Sequence, residues 1–223
     1  MQLETNLKNQ TPRAQGELNM LNTMQTQANL KQAIKIKFHT NYAINLIDGS
    51  NRKKHKIAGL LIFASKFKIV ERDSNLQNPY AKYYIKITKK NYAAAEVEIK
   101  NTSKYCADII MKSKKNGVEI LVAENNNPIE KSFTFTAPLC YKVALLLSDY
   151  DLCIREVQSI YNLGLISDSD YQDKINSMGQ CLRSLFHSVE SYVSTSVTIE
   201  DIQIGNIKAL EAKSKMSNVN LFN

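Results

Sequence analysis

A chain of 223 residues with 43% hydrophobic side chains can bury a sizeable core without disulfide or metal staples, as one large domain or two small ones. It has no run of about 18 apolar residues and no basic start followed by an apolar stretch, so neither a membrane span nor a secretory leader is expected. The net charge of +8 is unevenly spread: residues 31–72 hold ten Lys and Arg against Asp48 and Glu71, whereas residues 116–223 hold eight against thirteen acids. That asymmetry favours a polyanionic partner for the first of these segments. The cysteines Cys106, Cys140, Cys153 and Cys181 stand among apolar residues with no CxxC pair. They are expected to be reduced core thiols of a cytoplasmic protein.

Residues 1–30 are rich in Gln, Asn and Thr and predict a tail, with a weak helix near 17–27. Residues 33–39, "AIKIKFH", alternate. Ile34, Ile36 and Phe38 share one side of a strand, and Lys35, Lys37 and His39 share the other. Thr40 is placed to cap a short helix whose inner face is Ala43, Ile44 and Ile47. Gly49 in "DGS" suits the turn that ends it. The spacing of Ile57, Leu60, Leu61, Ala64 and Phe67 predicts a second helix over 55–70, with Gly59 inside it and closely packed against a neighbour. "NRKKHK" at 51–56 then places its cations at that helix's start, where the dipole disfavours them.

Residues 80–113 predict a helix with Lys82, Lys86, Lys89 and Lys90 on its outer face. "GVEILVA" and "IEKSFTFTA" flank the turn-forming "ENNNP" and predict a β-hairpin over 117–137. A helix follows over 139–163, with Leu146, Tyr150, Ile154, Val157 and Tyr161 inward. Ser167 with Asp170 resembles a cap. The next helix, 169–187, buries Tyr171, Ile175, Met178, Leu182 and Leu185. Thr198 with Asp201 opens a last helix, and residues 217–223 form a tail.

Enzymatic chemistry finds no footing in this pattern. There is no phosphate-binding glycine loop, nucleophile elbow or HExxH, and His39, His55 and His187 lack metal-ligand spacing. Asp149 with Asp151 and Asp168 with Asp170 read as helix-start carboxylates rather than a magnesium site, and Cys153 reads as a buried thiol. No catalytic residue, metal site, cofactor or small-molecule substrate is expected.

The strand at 33–39 needs a partner, because one strand is not stable alone. Two arrangements supply one: the same strand of a second copy across a two-fold axis, or the 117–137 hairpin of its own chain. The first makes a ribbon that fits the DNA major groove, with Lys35, Lys37 and His39 toward base edges. Arg52, Lys53, Lys54 and Lys56 at a helix start would then grip phosphates. Strand, short helix, turn and second helix are the order of a ribbon-helix-helix module.

The blocks "FHTNYAINLIDG", "GLLIFASKF", "NPYAKYY", "GVEILVA", "LLLSDYDLCIREV", "LGLISDSDY" and "VTIEDIQIGNIKALEAK" occur in an order that resembles the integrating conjugative element protein family. AcaB-like transcriptional activators of conjugative plasmids are similar to it. The resemblance covers about residues 34–216. It implies a ribbon-helix-helix DNA-binding part and control of transfer genes. Members often carry Thr, Leu or His in the strand block, where this chain has Lys35 and Lys37, so the DNA sequence read does not carry over.

The resulting expectation is an α+β, mostly helical homodimer. A tail (1–30) precedes a ribbon-helix-helix-like module (31–72), in which strand 33–39 pairs across the dimer. A helical body (73–216) contains one β-hairpin (117–137). The expected partner is double-stranded DNA, in the cytoplasm at the nucleoid and away from membranes. The rival readings are a structural or adaptor protein of the same element that does not read DNA directly, and an enzyme acting on nucleic acid, which would need a carboxylate cluster in the fold.

Overall fold

The structure, a computed structural model, describes residues 32–52, 55–216, 219 and 221. In chain order the elements are β1 (Ala33–Phe38), α1 (Asn41–Asp48), β2 (Ser50–Arg52), β3 (His55–Ile57), α2 (Leu60–Asn75) and α3 (Pro79–Lys115). They continue with β4 (Ile129–Thr134), α4 (Pro138–Asn162), α5 (Asp168–His187), α6 (Ile199–Ile204) and α7 (Ile207–Lys215). The mostly helical α+β class expected from periodicity is what the chain adopts. The predicted helix at 17–27 lies outside the described residues. The chain divides into Met1–Ala33 and one compact unit from Ile34 onward. The expected boundary between residues 72 and 73 falls inside α2.

The core is a bundle in which α3 packs on α2, α4 and α5, and α4 packs on α1, α2 and α5. α3 runs for 37 residues, about 55 Å at 1.5 Å per residue. Pro79 opens it and the Asn78 side chain caps it by accepting from the Ala81 N–H. In α5 the predicted stripe of Tyr171, Ile175, Met178, Leu182 and Leu185 is buried. In α4, Leu146, Tyr150, Ile154 and Val157 are buried, while Tyr161 is half-buried and stacks on Tyr171 at 4.3 Å. Phe63 joins α2 to α5 by packing on Phe67 at 5.6 Å and Phe186 at 5.8 Å between ring centres.

Three expectations are corrected. The hairpin at 117–137 does not form: only its second half is a strand, and residues 118–125 run without regular structure. Side chains of α4 bind the backbone of that segment at Ala123 instead. Ser159 Oγ accepts the Ala123 N–H at 2.8 Å, and Arg155 Nε donates to the Ala123 carbonyl at 2.7 Å. β4 is thereby left free, and it pairs with β1 of the same chain. Strand 33–39 therefore has a partner without a second copy. Phe38 meets Phe133 edge-on at 6.3 Å, and Lys35 meets Glu130 at 3.4 Å across that sheet.

The third correction concerns the second helix, which starts at Leu60 rather than near residue 55. Ser50–Arg52 and His55–Ile57 pair as the antiparallel strands of the β2–β3 hairpin, with Ser50 opposite Ile57, Asn51 opposite Lys56 and Arg52 opposite His55. Cations at a helix N-terminus oppose its dipole, and the chain avoids that cost by beginning the helix beyond them. The buried stripe of α2 is consequently Leu60, Phe63, Phe67 and Val70, and Leu61 is exposed. Gly59 is the residue before the helix, not within it, but its expected close packing is present. A β-carbon there would lie 2.4 Å from the Ile47 carbonyl oxygen and 2.5 Å from the Gly49 nitrogen. Gly49 has φ of 72°, a left-handed value that glycine adopts without strain. The last predicted helix is divided at Gly205, also at positive φ, into α6 and α7.

Candidate nucleic-acid interface

β1 alternates as its sequence dictates. Ile36 and Phe38 are buried against the bundle, while Lys35 and Lys37 are exposed on the opposite side. Lys35 pairs with Glu130, but both side chains are largely in solvent. An exposed pair of this kind is worth about 0–1 kcal/mol and exchanges readily for another anion.

His39 differs from the two lysines. It is half-buried, and its Nδ1 accepts the Asn125 N–H at 3.2 Å while its carbonyl accepts from Asn125 Nδ2 at 3.3 Å. With Nδ1 accepting, the proton of the neutral ring lies on Nε2, the one nitrogen left to address a ligand.

The strand's end is held by a single buried carboxylate. Asp151 accepts the His39 N–H at 2.9 Å, the Thr40 N–H at 2.9 Å and the Thr40 hydroxyl at 2.7 Å. Thr40 in turn caps α1 by accepting the Ala43 N–H, the cap that its sequence position predicts. Asp151 thus lies inside α4 and serves the start of a different helix, rather than the start of its own as the sequence suggested. Its neighbours in this role are Arg155 and Ser159, one and two turns further along α4. The signal for the trio was present in the sequence as polar residues at steps of four on a buried helix.

Of the residues assigned to phosphates, Arg52 and Lys56 are placed by backbone alone, on paired strands of the β2–β3 hairpin. Lys53 and Lys54 lie between them, outside the described residues. The helix-start clamp is therefore replaced by a cationic hairpin.

The acidic residues of the two pairs lie in different surroundings. Asp149 is exposed, and its carboxyl is raised from its ordinary value by desolvation and then by Glu96, against the opposing charge of Lys100. Asp168 and Asp170 lie in the first turn of α5, where the Ser167 side chain caps the Asp170 N–H. Among the described residues no group of three or more His, Cys, Asp or Glu could hold a metal ion. Burial pushes the Cys106 and Cys140 thiols up to about 12, values that make poor nucleophiles near neutral pH. No described helix is long and apolar enough to cross a membrane.

A search of curated proteins gave no match. The crystal structure of selenomethionine-containing AcaB from uropathogenic E. coli superposes with a TM-score of 0.52 at 12% identity, over 87% of this chain and 92% of that one. At that identity the likeness shows a shared fold. A family model described as transcriptional regulator AcaB matches residues 26–221. With nearly the whole described fold inside that match, the chain belongs to the AcaB family of transcriptional regulators.

Proposed function

We propose that this regulator binds duplex DNA as a homodimer and switches on transfer genes of a conjugative element, in the cytoplasm at the nucleoid. Lys35, Lys37 and the Nε2 side of His39 address base edges in the major groove. Arg52 and Lys56 of the β2–β3 hairpin, with Lys53 and Lys54 between them in sequence, grip phosphates. Residues 31–72 form the DNA-binding module and residues 73–216 its support. No cofactor, metal or substrate takes part.

The observation that carries this reading is β1, which turns two lysines to solvent while its other face is anchored in the core. β1 has one strand neighbour, β4, among the described residues. Its second edge is where the β1 strand of another copy adds, giving a central two-stranded ribbon flanked by the two β4 strands. The sequence alone asked the second copy to rescue a lone strand. Here it extends an existing sheet, which is a lesser demand.

Binding titrations on cognate and scrambled duplexes test the assignment. Lys35→Ala or Lys37→Ala should cost about 1–3 kcal/mol on the cognate site and relax preference at particular base pairs. Lys53→Ala or Lys56→Ala should weaken all duplexes alike and make the salt dependence shallower by about one unit per lost contact. Equal losses on both duplexes for the β1 variants would place the reading residues elsewhere. Absence of binding at low salt would favour the adaptor role.

A further inference from the structure

The start of α3 and the last two helices enclose a groove. It consists of two cavities, of about 410 and 240 Å³, that share Ile202 and Leu221 in their linings. Tyr83 and Ile199 extend the apolar surface of the larger cavity, and Leu210 that of the smaller. Lys82 and Lys86 line the larger cavity and Lys213 the smaller. The apolar surface does not stop at the groove. Ile204, Ile207 and Leu210 are 78%, 75% and 61% exposed on the adjoining turn of α6 and α7.

An exposed apolar cluster that continues a groove marks a place for an interaction surface. The charge at its edge says what kind. None of Lys82, Lys86 and Lys213 is in an ion pair among the described residues, and Lys82 Nζ donates to the neutral Gln77 side chain. The occupant must bring aliphatic side chains for the floor and carboxylates for the ammonium groups. Nucleic acid would satisfy the lysines and leave Ile204, Ile207 and Leu210 in water. A small amphipathic anion would fill one cavity and leave the other.

We infer that this groove docks an acidic amphipathic helix of a partner protein. The helix lays its apolar face on Tyr83, Ile202, Leu210 and Leu221, and its flanking carboxylates meet Lys82, Lys86 and Lys213. This is the helix-in-groove mode, in which apolar anchors at spacings of three and four supply affinity and the rim charges choose the partner. The inference does not depend on DNA reading, and it is measured without DNA.

The test uses the full chain at about 150 mM salt, where long-range attraction to a basic protein is screened. Three dye-labelled 16-residue peptides are compared by fluorescence anisotropy. One carries Leu at i, i+3, i+4 and i+7 with Glu on both flanks. The second carries Lys in place of Glu, and the third is a scramble of the first. The Glu peptide should saturate and bind at least tenfold more tightly than either control. Lys82→Glu with Lys86→Glu should weaken it about tenfold, as should Ile207→Ser with Leu210→Ser, with the circular dichroism spectrum unchanged because these side chains are exposed. Equal binding of all three peptides, or indifference to these substitutions, would overturn the inference. So would conversion of a dimer to monomer by Ile207→Ser with Leu210→Ser, which would assign the surface to a second copy. Binding of anionic lipid vesicles lost in the same variants would overturn it too.

Discussion

Asp151 is buried in α4 and accepts two backbone N–H groups and one hydroxyl from residues 39 and 40. Asp151→Ala would leave those donors facing a small void. Since a hydrogen bond to a charged group is worth about 1.5–3 kcal/mol, the variant should lose about 3 kcal/mol in urea unfolding with an unchanged slope. A loss below about 0.5 kcal/mol would mean that water replaces the carboxylate. Asp73 offers a second test, through pH. Burial alone would raise its carboxyl. Hydrogen bonds from Ser194, Tyr192 and Arg72, with the Arg72 charge, outweigh that and hold it below the ordinary 3.8. The folded state then binds this proton less readily than the unfolded one. The stabilisation it brings is complete above 3.8 and is lost as pH falls through the folded value. The stability gap between the natural chain and Asp73→Asn should therefore be constant from about pH 7 down to about pH 5 and should narrow below 3.8. A gap that widens in acid would show the sign to be wrong.

At the scale of elements, the junction of α1, the β2–β3 hairpin and α2 turns on Gly59. A β-carbon at this position meets backbone at Ile47, Asp48 and Gly49, which cannot rotate away as a side chain could. Gly59→Ala should cost about 2 kcal/mol, lowering the melting temperature by about 4–8 °C. An unchanged melting temperature would mean that α1 and α2 separate more easily than their packing implies. The same region shows what the sequence could and could not disclose. Long helices with a sustained period were legible: α3, α4 and α5 begin and end within about two residues of expectation, and the caps Thr40, Ser167 and Thr198 are used. "NRKKHK" was misread although its composition argued correctly, since cations that break the helix-start rule marked a place where no helix starts. "GVEILVA" alternates like a strand, yet the backbone of its last residue, Ala123, bonds to Arg155 and Ser159 of α4. The neighbour of β1 was one of two open alternatives for the same reason, because local pattern carries no information about distant pairing. At the candidate site, Lys35 and Lys37 emerge on the exposed face as read, whereas the anchor at Asp151 was taken for a helix-start carboxylate.

For the whole molecule, the proposed ribbon requires two copies. Light scattering at micromolar concentration should give about twice the chain mass of 25.3 kDa. Affinity for duplex DNA should fall by orders of magnitude between about 50 and 200 mM salt. A monomer at that concentration, or a flat salt dependence, would remove the dimeric DNA reader.

The clamp of Asp151 on Thr40 also sets an order of events in time. The two residues are 111 apart in sequence, and the His39–Asn125 contact spans 86. Contacts of such separation form after local helices, because the intervening loop must close before they reward it. A nascent chain can build α1, α2 and α3 from neighbours in sequence, but β1 has neither its strand partner nor its anchor until β4 and then Asp151 have left the ribosome. The strand that carries Lys35 and Lys37 is translated early and seated late. A chain truncated before α4 would keep its basic segment and lose the lock that holds it.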